Sequence, residues 1–171
     1  GIAFTRNRLM QAAKGDFIML LDSDDIAMPG RIHAQIHYLT QHPDVLLAGS
    51  GYINIDEYGK DLTGKIDNRA NEKEPEHIQA MLLFRNCICQ SSVMINKTLL
   101  NNEEYDLDYQ HYGEDYELWC RLSRKHKLVN LHEPQVKYRV HASNISFTTK
   151  DKIKMELFNK IAKQQFQYYF N

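Results

Sequence analysis

Apolar and polar positions along this chain switch between a helical period and near-continuous runs, and the switches mark its elements. Ile2, Leu9, Ala12 and Ala13 recur at helical spacing up to Lys14, and Gly15 follows as a helix stop. Asp16-Phe17-Ile18-Met19-Leu20-Leu21 is then a short apolar run, the pattern of a strand buried on both faces, as in a parallel sheet. It ends abruptly in Asp22-Ser23-Asp24-Asp25. Pro29 predicts a helix start, with the helix reaching about His42 and Ile32, Ile36 and Leu39 on one side. Val45 to Gly49 reads as a second buried strand. Tyr52 to Asp56 alternates, and Glu57-Tyr58-Gly59-Lys60 reads as a hairpin turn.

The polar stretch from Thr63 to Glu76 predicts a loop. A short helix from about Glu76 to Phe84 should lead to a strand near Ser91 to Ile95. A helix from Asp115 to Lys125 turns Trp119 and Leu122 toward the core. Two short strands are expected near Val129 to Leu131 and Val136 to Tyr138. Ile153, Leu157 and Ile161, spaced by four, predict an amphipathic closing helix from Lys150 to Asn171. Strands alternating with helices give an α/β class with a mixed sheet.

Composition narrows the function. The 171 residues, 43% hydrophobic, suffice for one core and one domain. Basic and acidic residues nearly cancel, 21 against 22, for a net charge of −1, which removes the electrostatic reason to expect nucleic acid as a partner. No apolar run reaches the roughly 18 residues of a membrane span. The first residues show no leader pattern, and three cysteines make no disulfide framework, so a cytoplasmic protein is expected.

Two acidic clusters are the candidate chemistry. Asp22, Asp24 and Asp25 lie within four residues at the end of an apolar strand, where open α/β sheets bind ligands. Carboxylates so close repel one another unless a cation holds them, and hard ions such as Mg²⁺ or Mn²⁺ take oxygen ligands. An acidic helix start before Pro29 is the plainer alternative, and the local sequence leaves it open. An EF-hand is excluded, because Ala27 falls where the loop glycine belongs and His33 where the final glutamate belongs. The second cluster, Gly113-Glu114-Asp115-Tyr116-Glu117-Leu118-Trp119, offers a general base at a helix start, or only a favourable interaction with the helix dipole. His33 and His37 lie four apart without a third ligand and read as a solvated face. Cys87 and Cys89 read as buried strand thiols.

Taken in order, these segments resemble family 2 glycosyltransferases over roughly residues 1 to 147. The matching segments are Gly1-Ile2-Ala3-Phe4-Thr5-Arg6-Asn7, Lys14-Gly15-Asp16 through Asp25, Cys89-Gln90-Ser91-Ser92-Val93-Met94, the Glu114-Asp115 motif, and Tyr138-Arg139-Val140-His141-Ala142-Ser143-Asn144-Ile145-Ser146. The resemblance implies a GT-A-like (Rossmann-like) mixed sheet flanked by helices. It implies Asp22 and Asp24 as metal ligands for Mn²⁺ or Mg²⁺, and Arg6, Asp22, Asp24 and His141 on the donor side. Asp115 would be the catalytic base with Glu114 its supporting carboxylate, and Gln90 and Trp119 would stand on the acceptor side. The implied reaction is inverting transfer from a nucleotide-sugar donor to a saccharide or lipid-linked acceptor, in cell-surface polysaccharide or glycolipid synthesis at the inner face of the membrane.

Family members open with a strand-helix-strand unit that is not found here. The resemblance therefore predicts a domain truncated at its N-terminus, residues 1–147 forming a partial catalytic domain and 148–171 a helix packed on it. An exposed sheet edge, a homodimer through that edge and little activity of the chain alone follow as expectations. Rival readings are a metal-dependent nucleotidyltransferase, which does not account for the Glu114-Asp115 motif, and a non-catalytic interaction domain.

Overall fold

In the computed structural model, which describes residues 1–66 and 73–170, six strands form one mixed sheet with helices packed against it. The order is β1 (Phe17–Met19), β5 (Met94–Asn96), β3 (Val45–Ile55), β6 (Lys127–Arg139), β2 (Ile26–Ala27), with β4 (Asp61–Ile66) also paired to β3. β3 and β6 run parallel and the other pairs antiparallel. β3 is buried from Val45 to Tyr52, as a central strand covered by helices must be.

The helices are α1 (Ile2–Ala12), α2 (Arg31–Gln41), α3 (Pro75–Met81), α4 (Lys97–Leu100), α5 (Glu114–Ser123), α6 (Ile145–Thr148) and α7 (Asp151–Phe170). The larger core gathers Leu46 and Leu47 of β3, Ile78 of α3, Leu118, Trp119 and Leu122 of α5, and Ile161 of α7. A smaller one joins Leu39 of α2 to Val45, Ala48, Met94 and Val129.

Several sequence expectations are corrected. The apolar run at 16–21 forms only the three-residue β1, antiparallel to β5 at the end of the sheet, not a parallel strand buried on both faces. Just past it Leu20 N still donates to Val93 O at 2.9 Å, while the Leu20 carbonyl is taken by Arg31 Nη2 at 2.8 Å. α1 ends at Ala12, where Ala13 turns extended, so Gly15 is not its cap.

α2 does not bury Ile32 and Ile36, which are 56% and 37% exposed. Its inward face is Arg31, Gln35 and Leu39. The reason is polar. Arg31 Nη2 donates to the carbonyls of Leu20 and Val93, and Gln35 Nε2 donates to those of Ala48 and Ser92 at 2.7 Å each. Buried carbonyls need donors more than the helix needs apolar contact.

The expected strand at 91–95 begins later. Gln90–Ser92 is a 3-10 turn in which Ser92 Oγ donates to Cys89 O and accepts from Ser50 N, and β5 starts at Met94. The two strands expected near 130 and 137 are one, β6. Pro134 cannot donate to a ladder, and the pairing with β3 shifts register beside it, Gln135 N donating to Ser50 Oγ instead. The expected loop from Thr63 is strand β4 as far as Ile66, and 67–72 lie outside the described residues.

Candidate active site

Both acidic clusters open on one cleft of about 1670 Å³, lined by α1, the β1–β2 loop, the segment before β5, the start of α5, the chain after β6, and α7. Each functional side chain arrives from an element end. Gly113, at φ +79, takes the left-handed conformation that starts α5 and puts Glu114 and Asp115 in its first turn.

Arg6 of α1 spans the two clusters. Its Nη2 donates to Asp22 Oδ1 at 2.8 Å and its Nη1 to Glu114 Oε1. The guanidinium lies 5.7 Å from the Tyr105 ring centre. Burial, with the adjacent Asp115 charge, pushes Glu114 up to about 7, Arg6 opposing the shift. Burial also raises Asp115, against the pull of Arg6 and of two hydrogen bonds. Those bonds fix the Asp115 carboxylate: Tyr116 N donates to Oδ1 at 2.7 Å and Asn86 Nδ2 to Oδ2 at 3.0 Å.

The β1–β2 loop is held by groups that sequence reasoning did not single out. Asp22 N donates to Ser91 Oγ, and Asp25 accepts from Arg139 N at 2.8 Å. Arg139 Nε donates to Asp24 O, while its Nη1 reaches the carbonyls of Asp56 and Glu57. Asp25 is thus a structural carboxylate facing β6, raised by burial despite bonds to Ser91 and Arg139. Asp24 and Asp22 keep exposed side chains, 36% and 42%. His141 Nε2 lies 2.9 Å from Asp24 Oδ2, and its Nδ1 lies 2.9 Å from Ser143 Oγ.

This donor set fits a hard divalent cation. It offers carboxylate oxygen and partial exposure, and Asp24 is oriented by its contact with an imidazole. Among the described residues no group of three or more side chains already converges as a ligand set.

The remaining candidates divide. Gln90 lines the cleft, donates to Tyr105 OH at 2.8 Å, and keeps a buried Oε1 without a partner. Trp119 does not line the cleft: it is wholly buried in the main core, packed edge-on to Tyr105. An indole on the inward side of α5 is drawn into the sheet by its apolar area. His33 and His37 stack, 6.0 Å between ring centres, on the outer side of α2, and neither lines the cleft. Cys87 and Cys89 lie before the 3-10 turn and not on a strand. Cys87 is buried and Cys89 half-buried at the cleft wall, where burial pushes the Cys89 thiol up to about 12. Arg139 stood inside the matched Tyr138–Ser146 segment without a role assigned to it, and Asn86 carried no signal beyond preceding the Cys87 segment.

The chain has clear relatives. A family profile described as glycosyltransferase like family 2 matches residues 4–156. The chain is 30% identical to the amylovoran biosynthesis glycosyltransferase AmsE of Erwinia amylovora, over 84% of this chain and 52% of that protein. It is 32% identical to WfaP of Escherichia coli, a UDP-Glc:alpha-D-GlcNAc-diphosphoundecaprenol beta-1,3-glucosyltransferase, over 85% of this chain and 54% of that one. The chain spans about half the length of the curated relatives it matches. The crystal structure of S. aureus TarS 1-349 in complex with UDP-GlcNAc superposes with a TM-score of 0.71 at 13% identity, over 96% of this chain and 46% of that one. The likeness in structure establishes a GT-A-like fold.

Proposed function

The chain belongs to the glycosyltransferase like family 2, and from that premise we propose that it forms the metal-binding and catalytic part of an inverting glycosyltransferase. The donor is a nucleotide-diphosphate sugar, and the acceptor is a saccharide or lipid-linked hydroxyl in cell-surface polysaccharide synthesis. The observation that supports this reading best is Arg6, which ties Asp22 of one acidic cluster to Glu114 of the other across a single cleft.

Asp115 is the general base in this reading. It accepts the proton of the acceptor hydroxyl as that oxygen bonds to the anomeric carbon and the bond from that carbon to the diphosphate breaks. Attack opposite the leaving group inverts the centre. Asn86 and the Tyr116 amide hold the carboxylate in one orientation. Glu114 keeps Arg6 in place beside it. Asp22 and Asp24 would hold Mn²⁺ or Mg²⁺, which when bound neutralises charge on the diphosphate. His141 orients Asp24 and stands on the donor side. Gln90 offers its unpartnered oxygen to an acceptor hydroxyl.

Calorimetric titration of UDP in the presence of Mn²⁺ tests the site, UDP being the nucleotide in the names of two similar proteins. Binding by the wild-type chain, reduced about tenfold or more in Asp24→Ala and abolished by chelation, is expected. Equal binding by the variant rules out the assigned metal loop. Release of pyrophosphate from a nucleoside triphosphate, in place of nucleoside diphosphate from a sugar nucleotide, identifies the nucleotidyltransferase alternative.

A further inference from the structure

α7 has two apolar stripes, and the protein uses only one. Leu157, Phe158, Ile161 and Gln165 face inward: Ile161 is 1% exposed, Phe158 stacks on Tyr116 at 5.7 Å, and Gln165 Nε2 donates to Cys120 O. Lys152, Met155, Asn159, Lys163, Phe166 and Phe170 follow a spacing of three and four residues that gathers them on another face, and all six are exposed. Met155, Phe166 and Phe170 are 60%, 44% and 69% exposed. Phe84, 63% exposed, extends this stripe from the neighbouring segment, its ring 6.5 Å from Phe166, and Phe166 lies 5.3 Å from Phe170.

We infer that this stripe is a docking face for an anionic phospholipid bilayer, with α7 lying in the interface plane. Three observations favour a lipid surface as the occupant. The charge is complementary: α7 carries four lysines against two acidic residues, a net of +2 in a chain of net −1, with Lys152 and Lys163 within the stripe. The composition is that of interfacial helices, aromatic rings and Met flanked by lysine, and those charges keep the helix too polar to cross a bilayer. The stripe is also continuous with the catalytic cleft. Met155 belongs to both, and Phe84 stands two residues before Asn86, which holds the Asp115 carboxylate. Docking along this edge brings the cleft mouth to the membrane surface, where a lipid-held acceptor would be presented. The face adds to the proposed transfer reaction without depending on it.

Co-sedimentation with vesicles tests it. The wild-type chain is expected to bind phosphatidylcholine vesicles containing roughly 30% phosphatidylglycerol, and to leave pure phosphatidylcholine vesicles largely unbound. Raising salt from about 0.1 M to about 1 M, which shortens the screening length from ~10 Å to ~3 Å, should release most of it. Phe84→Ser/Phe166→Ser/Phe170→Ser should reduce binding to background, and Lys152→Glu/Lys163→Glu should weaken it by about fivefold or more per lysine. All these positions are exposed, and circular dichroism checks that the variants fold. Asp24→Ala should bind vesicles as wild type does, which separates this surface from the donor site. No binding to the anionic vesicles overturns the proposal, as does equal binding to neutral ones or undiminished binding by the triple Phe variant. A dimer in light scattering that the Phe variant abolishes, without vesicle binding, identifies a protein interface instead.

Discussion

Asp115 is a carboxylate pulled two ways. Burial raises its affinity for a proton, while the Asn86 amide and the Tyr116 N–H favour the charged form. A base of this kind loses activity as pH falls, and the acid limb of kcat/KM should lie above the ~3.9 of an unperturbed aspartate. Asn86→Ala removes a donor to the charged form, so the limb should move to still higher pH, with kcat near neutrality little changed. A limb that stays put removes Asn86 from the positioning of the base. Asp115→Asn should lower transfer by about 10²–10⁴-fold and leave Mn²⁺-dependent UDP binding intact. Glu114, raised to about 7, follows the corresponding rule for stability. Its contribution is fully present below the unfolded value of ~4.3 and is lost as pH rises through about 7, because the folded state holds the proton more tightly. Glu114→Gln should flatten that slope in urea unfolding measured across this window.

Among the elements, α2 best shows what a helix does for the site. Its inward Arg31 and Gln35 supply donors to three buried carbonyls and to the part-buried Leu20 O, two residues before Asp22. Burial lowers Arg31 to about 10, still high enough to stay charged near neutrality. Gln35→Leu keeps the bulk and strands Ala48 O and Ser92 O, so it should cost about 2–4 kcal/mol at unchanged m-value. β3 offers a second check. A Cβ on Gly49 would meet Asn130 Oδ1 at 2.4 Å, inside a closed sheet, so Gly49→Ala should destabilise by about 1–3 kcal/mol.

For the whole molecule, α7 is the element that closes the cleft against α5. Ile161 is 1% exposed in the main core and also lines the cleft, so Ile161→Ala should cost about 2–4 kcal/mol and open the cleft floor. Among the described residues the ends of the strand order are β1, three residues long and paired to β5, and β2, two residues long and paired to β6, so either edge available to the expected homodimer is short. Short edges make poor templates, so a dimer through either should appear in light scattering only at high concentration.

The sequence by itself determined the α/β class, the order of most elements and both acidic clusters. Strand and helix periods, Gly113 before a helix and carboxylates at chain turns are local signals, set by backbone geometry and side-chain chemistry within a few residues. It misjudged α2, because the pattern of Ile32 and Ile36 cannot reveal that the facing surface is a row of carbonyls wanting donors. It split β6 at Pro134, because the register shift that tolerates a proline belongs to the pair of strands and not to one of them. The roles of Asn86 and Arg139 were decided by tertiary structure alone. Which segments reach Asp24 and Asp115 depends on contacts between residues 115 and 29 positions apart. Such contacts exist only once the core has formed, and no local pattern encodes them.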